Sequence, residues 1–160
     1  MKIMKHDNMM DKSEKLFIII SILGLIPFII GLLDLLINKN NLFFLVNIPK
    51  YYGSIIFTFL GAIYWGAMLN LTPKSLIPEK IKFFIIILSV VPSIMSITVL
   101  SIKSNLSLLM LSIGFLLCQL VDEIFNKYLS FPNWYLPLRR ILTLIVVIVL
   151  ICSYFIIQTP

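Results

Sequence analysis

The chain reads as an all-α protein, an integral membrane bundle of five transmembrane helices with a short interfacial amphipathic helix before the last span. Three observations predict this. Of 160 residues, 60% are hydrophobic and only 12% charged, with a mean hydropathy of +1.06. A water-soluble domain carries about 45–50% apolar and about 25% charged residues. The charges are also segregated, leaving five uncharged runs at 16–33, 51–73, 83–102, 104–121 and 141–160. Each approaches the roughly 20 residues that cross a hydrocarbon core of about 30 Å. Finally, the runs are continuous rather than alternating, which suits helices and not outer-membrane strands. A domain this small cannot hide so much hydrocarbon from water. The composition thus excludes a soluble enzyme, a disordered tail and, despite a net charge of +6, a nucleic-acid module.

One membrane domain over 1–160 is expected, with spans near 16–37, 51–71, 82–102, 105–121 and 140–157. The first contains Pro27, which tends to kink a helix. It ends near Asp34, a carboxylate placed to snorkel to water or to cap a neighbouring helix. Its apolar run exceeds the 7–15 residues of a signal core, and no A-x-A site follows. The preceding tail lacks Arg and holds Asp7, Asp11 and Glu14, unlike a mitochondrial import peptide.

The second span carries small or polar residues four apart: Ser54, Thr58, Ala62, Gly66 and Asn70, with Gly53 and Gly61 beside them. Such a stripe lets helix backbones approach closely and predicts a packing face. The competing reading is a narrow pathway lined by Ser54, Thr58 and Asn70. In the third span Pro92 lies among Ser89, Ser93 and Ser96. The fourth is the most polar, with Asn105, Ser107, Ser112 and Gln119.

Between the fourth and fifth spans, Val121, Ile124, Phe125, Tyr128 and Leu129 fall on one helical face. Asp122, Glu123, Asn126 and Lys127 fall on the other. The pattern predicts a short amphipathic helix in the interface plane, or an extension of the fourth span. Pro132 ends it, and Pro137 suits the first turn of the next helix. The last span is the most apolar, with 13 Leu, Ile, Val or Phe residues in Ile141–Ile157.

Orientation follows the Lys and Arg count of the connections. Ten lie on the side of the N-terminus (Lys2, Lys5, Lys12, Lys15, Lys74, Lys80, Lys82, Lys127, Arg139 and Arg140). Three lie opposite (Lys39, Lys50 and Lys103). The N-terminus is therefore expected in the cytoplasm and the C-terminus outside. Tyr51, Tyr52, Trp65, Trp134 and Tyr135 suit an aromatic interface belt, and Trp65 could instead meet a lipid tail or quinone. Arg139 and Arg140 are the only arginines beside 11 lysines. Two planar donors suit lipid phosphate, or Asp122 and Glu123 across the loop. With 29 Ile and 2 Ala, the chain has the composition of an AT-rich genome, bacterial or organellar.

No catalytic or metal constellation is evident. The lone His6 sits in the charged tail. Cys118 and Cys152 differ in depth by roughly 12 Å at about 1.5 Å per residue, beyond the roughly 7 Å a disulfide tolerates, so both are expected as free thiols.

Several stretches together carry a resemblance. They are Gly24-Leu25-Ile26-Pro27-Phe28, Tyr52-Gly53, Phe59-Leu60-Gly61-Ala62-Ile63-Tyr64-Trp65-Gly66, Gly114-Phe115-Leu116-Leu117, Gln119-Leu120-Val121-Asp122 and Pro132-Asn133-Trp134-Tyr135-Leu136-Pro137-Leu138-Arg139. The set resembles the transmembrane protein 69 family, small multi-pass proteins of bacteria and mitochondria grouped as a domain of unknown function. The chain departs from that pattern at Ala62 and Tyr64, where the family often has Gly-Gly-Ile-His-Trp-Gly. The resemblance implies an architecture and no activity.

The functional expectation is a non-enzymatic structural, assembly or accessory component of a membrane complex, in the bacterial inner membrane or else the mitochondrial one. Its partners would be the bilayer and other membrane proteins or further copies of itself, with neither cofactor nor nucleic acid. The competing expectation is a small-solute or ion transporter or channel. An enzyme would have to act at the interface through Asp122, Glu123 and Arg139. Candidate packing residues are Gly53, Ser54, Thr58, Gly61, Ala62 and Gly66. Candidate functional or interfacial residues are Asp34, Trp65, Asp122, Glu123, Trp134, Tyr135, Arg139 and Arg140.

Overall fold

The computed structural model describes residues 11–37, 43–69, 77–129 and 131–158, which are helical apart from turns and helix ends. The helices are α1 (Lys12–Leu23), α2 (Ile26–Ile37), α3 (Phe43–Leu69), α4 (Glu79–Ser101), α5 (Leu106–Leu129) and α6 (Tyr135–Gln158). Five stretches are long and apolar enough to cross a membrane: α1 and α2 taken together, Asn47–Leu69 of α3, and α4, α5 and α6. The architecture is compatible with an integral multi-pass membrane protein. Apolar side chains such as Ile19, Phe59, Phe84, Ile97, Ile113 and Leu144 stand exposed on its flanks. In water this surface would be a liability; in lipid it is matched to its solvent.

Local chemistry sets the boundaries. Asp11 caps α1 in a capping box: the Lys12 amide donates to its carboxylate at 2.7 Å, and Glu14 accepts from the Asp11 amide at 3.1 Å. The Ser13 hydroxyl and then the Lys12 amide hold the Asp11 carboxyl below its ordinary range. The helix therefore starts four residues ahead of the apolar run. It breaks at Gly24–Leu25 because Pro27 lacks an N–H and its ring crowds the carbonyl four residues back. The Gly24 and Leu25 amides close the α1 end on the Ile20 and Ile22 carbonyls, at 3.0 Å each. Pro92, by contrast, is accommodated inside a continuous α4.

The structure departs from expectation around the last connection. Among the described residues no separate amphipathic helix precedes the last span: residues 121–129 continue α5 without a break, which is the other expected outcome, an extension of the fourth span. Nothing in that stretch interrupts a helix before Pro132. Two residues of that stretch stand opposite to the expected faces, Asp122 being buried and Ile124 exposed, while Lys127 is exposed as expected. Beyond the connection, α6 begins at Tyr135 rather than near 140, with the Tyr135 amide bonded to the Pro132 carbonyl at 2.9 Å.

α3 is the hub, packed against α2, α4, α5 and α6, whereas α1 packs chiefly on α6. Phe28, Phe57 and Phe115 meet edge-on or tilted at its centre, with Phe57 and Phe115 centroids 5.4 Å apart. Glycines admit these rings. A Cβ on Gly114 would stand 2.7 Å from Phe57, and one on Gly53 would stand 2.7 Å from Leu111. Along α4, a Cβ on Gly61 would collide with the Ser89 carbonyl. Hydroxyls fasten the same seam: Ser96 donates to the Ser54 carbonyl at 2.9 Å, and Thr58 Oγ1 lies 2.9 Å from Ser96 Oγ. In lipid such close packing and interhelical hydrogen bonding stand in for the hydrophobic effect.

The packing face thus includes Gly53, Ser54, Thr58 and Gly61 but not the whole expected stripe. Ala62 is exposed, and a Cβ on Gly66 would meet nothing within 4 Å. The physical reason is angular drift: steps of four overshoot the 3.6-residue turn, so the later members rotate off the contact. Asn70 lies outside the described residues.

Candidate functional site

Three buried stripes run to one end of the bundle. On α3 the bundle-facing residues are Gly53, Phe57, Leu60, Gly61 and Tyr64. On α5 they include Leu111, Phe115, Cys118 and Asp122. On α6 they include Arg139, Thr143, Val146 and Leu150. Each follows the three- and four-residue steps of a helix face. The last residue of the first two stripes and the first of the third are polar. Helix direction brings the carboxyl ends of α3 and α5 beside the amino end of α6, so Tyr64, Asp122 and Arg139 converge.

Asp122 and Arg139 form a buried ion pair, with Arg139 Nε donating to Asp122 Oδ2 at 3.1 Å. Their side chains are 4% and 8% exposed, so the pair is desolvated and each charge depends on the other. The Tyr64 hydroxyl donates to Asp122 Oδ1. Arg139 Nη1 reaches Thr143 Oγ1 at 3.0 Å, and Thr143 lies 3.4 Å from Gln119 Oε1. Gln119 Nε2 donates to Glu123 at 2.9 Å, and Glu123 accepts a two-pronged grip from Arg140 at 2.6 and 2.8 Å. A single polar chain therefore runs from Tyr64 in the interior to Arg140 at the surface.

The Tyr135 hydroxyl, also buried, faces the same Asp122–Arg139 pair, although neither it nor Arg139 Nη2 makes a hydrogen bond of full geometry. Trp134 Nε1 is likewise buried and unpaired, with its ring stacked on Phe17 of α1 at 6.4 Å. Chemically, the cluster holds a carboxylate rigidly between a guanidinium and a phenol. It can lock three helices together or, if the helices part, expose an ionisable pair.

Of the residues singled out in the sequence, Asp122, Glu123, Arg139 and Arg140 are brought together here with Tyr135 alongside. Of the two partners expected for it, Arg139 is occupied by the internal one, Asp122. Trp65 is elsewhere and exposed. Asp34 lies in α2 and is buried at 7% exposure instead of reaching for water, on the same buried face as Phe28, Gly31 and Leu35. Sequence reasoning misses Tyr64, Gln119 and Thr143 as site residues. Their signal is spacing: Gln119 and Thr143 sit four residues from Glu123 and Arg139 on the same helix faces. Both cysteines are free, Cys118 buried and Cys152 exposed. No group of three His, Cys, Asp or Glu side chains able to hold a metal occurs among the described residues. His6 lies outside them.

No curated protein and no solved structure matches the chain. A family described as a protein of unknown function, DUF3429, matches residues 13–155. That match runs from the first turn of α1 into the last of α6 and takes in every residue of the buried cluster, so the chain belongs to the DUF3429 family.

Proposed function

We propose that this protein is a non-enzymatic accessory or assembly subunit of a membrane complex, related within its family to the transmembrane protein 69 proteins. It sits in the bacterial inner membrane, N-terminus in the cytoplasm, with the Asp122–Arg139 cluster toward the cytoplasmic face. The observation that carries this reading is where the polar groups go. Tyr64, Gln119, Asp122, Thr143 and Arg139 are used to tie α3, α5 and α6 to one another, and Ser54, Thr58 and Ser96 tie α3 to α4. A bundle cross-linked in this way is a stiff support, and its exposed apolar flanks are suited to neighbouring helices as well as to lipid. Purification from native membranes in mild detergent tests it. Stoichiometric co-purifying membrane proteins are expected, and their number should fall when flank residues such as Phe59 or Phe84 become polar. Recovery of a lone monomer overturns the reading.

A second reading, transport of a small solute or ion, is favoured by one observation: ionisable side chains inside spans are functional candidates by default, and Asp34, Asp122 and Arg139 are buried there. Saturable flux into reconstituted vesicles, abolished by Asp122→Asn while the protein stays folded, would establish it in place of the first.

A further inference from the structure

The amino end of α5, opposite the buried ion pair, carries a second polar site. A cavity of about 40 Å³ lies there, lined among others by Asn47, Lys50, Lys103, Ser104, Asn105 and Ser107. At about 10–15 Å³ per water it holds on the order of three water molecules, or one small polyatomic group. None of its described lining residues is acidic, whereas two are lysines. These come from distant parts of the sequence: Lys50 rises from α3, and Lys103 stands in the short link between α4 and α5.

Ser107 adds an independent observation. It is 1% exposed, lines the cavity, and its hydroxyl has no hydrogen-bond partner. A buried hydroxyl without a partner is destabilising, and a ligand oxygen would relieve it. The first turn of α5 contributes through its dipole more than through free amides. The Leu106, Ser107 and Leu108 amides are already engaged by Ser104 and Asn105. The carboxyl ends of α4 and α6 close by bear only partial negative charge. Lys50 donates to the Ile102 carbonyl at the end of α4 and keeps further N–H groups for a ligand. Two full positive charges outweigh these partial ones.

We infer that this cavity binds a small oxyanion of the phosphate class, with Lys50 and Lys103 supplying charge and Ser107 a hydroxyl donor. Two sources present that chemistry, a soluble phosphate and the headgroup of an anionic phospholipid, and two arms separate them. In the first, the full-length protein in neutral detergent is titrated with inorganic phosphate against chloride at constant ionic strength while thermal unfolding is followed. In the second, the protein in phosphatidylglycerol or phosphatidylcholine nanodiscs is released and its retained lipid counted by native mass spectrometry. Lys103→Gln and Ser107→Ala are the variants, the first exposed and the second losing only one oxygen, so both should fold.

A saturable rise in the unfolding midpoint with phosphate, weakened about ten-fold or more by Lys103→Gln, supports a soluble anion. Retention of phosphatidylglycerol but not phosphatidylcholine, lost in Lys103→Gln, supports a headgroup. Either result with Ser107→Ala intermediate agrees with the assigned roles. If neither ligand binds, or if both variants match the wild type in both arms, the inference is wrong.

Discussion

Arg139 and Arg140 are sequence neighbours, and each pairs with an acid 17 residues upstream, yet their surroundings are opposite. The Asp122–Arg139 pair is almost completely buried, while in the Glu123–Arg140 pair the side chains are 33% and 59% exposed. The outer pair has the better geometry, two-pronged and shorter. Burial nevertheless makes the inner pair the more consequential. Surface ion pairs contribute about 0–1 kcal/mol because water and salt screen them. A buried charge that loses its partner has no such recourse. Good hydrogen-bond geometry and energetic weight are therefore separate matters, and position along the helix face decides the second.

The largest effect expected is that of Arg139→Met, which strands the Asp122 carboxylate and should destabilise by about 3–5 kcal/mol, read from unfolding in mixed micelles. Replacing both partners, Asp122→Leu with Arg139→Met, should recover most of that loss. Equal costs for Arg139→Met and Arg140→Met would break the contrast outright.

Next comes Tyr64→Phe, which removes the phenolic donor to Asp122 and should cost about 1–3 kcal/mol. Tyr64→His should cost less, since an imidazole N–H can donate to the same carboxylate. A Tyr64→His protein as unstable as Tyr64→Phe would show that Asp122 needs the reach of the phenol and not merely a donor.

Thr143→Val keeps the side-chain shape and removes the hydroxyl that accepts from Arg139 Nη1. A loss of about 0.5–1.5 kcal/mol is expected, and a silent substitution would show that the inner guanidinium needs only Asp122. The smallest change is Arg140→Met, below about 1 kcal/mol. Added salt should shrink the gap between this variant and the wild type, since exposed pairs are screened over about 10 Å at 0.1 M. The Arg139→Met gap should hold steady under the same titration.

Much of the scaffold is legible in the chain itself. Five uncharged runs announce five spans, Asp11 and Glu14 sit three apart as a capping box requires, and Pro27 marks the break in the first span. The end of α5 is harder. An amphipathic pattern at residues 121–129 has the same period whether the helix lies on a membrane or inside a bundle, so the pattern does not say which face is covered. Extending the stripe Leu111, Phe115, Cys118 by four residues reaches Asp122 and places it inward, but this competes with the expectation that charge faces water. Gly66 and Ala62 mislead for a related reason. Small residues permit close approach without requiring it, and only a neighbouring helix at the right height makes use of them.

What the sequence by itself determined was the five long apolar stretches and the crowding of most charges into the segments between them, because both depend only on the free energy of moving individual side chains between water and lipid. The tertiary structure alone decided which acid meets which arginine, that Tyr64 completes the inner pair, and that Lys50 and Lys103 border one cavity. Periodicity sets which residues share a face of their own helix. The rotation and height of one helix against another come from packing contacts made between residues far apart in the chain.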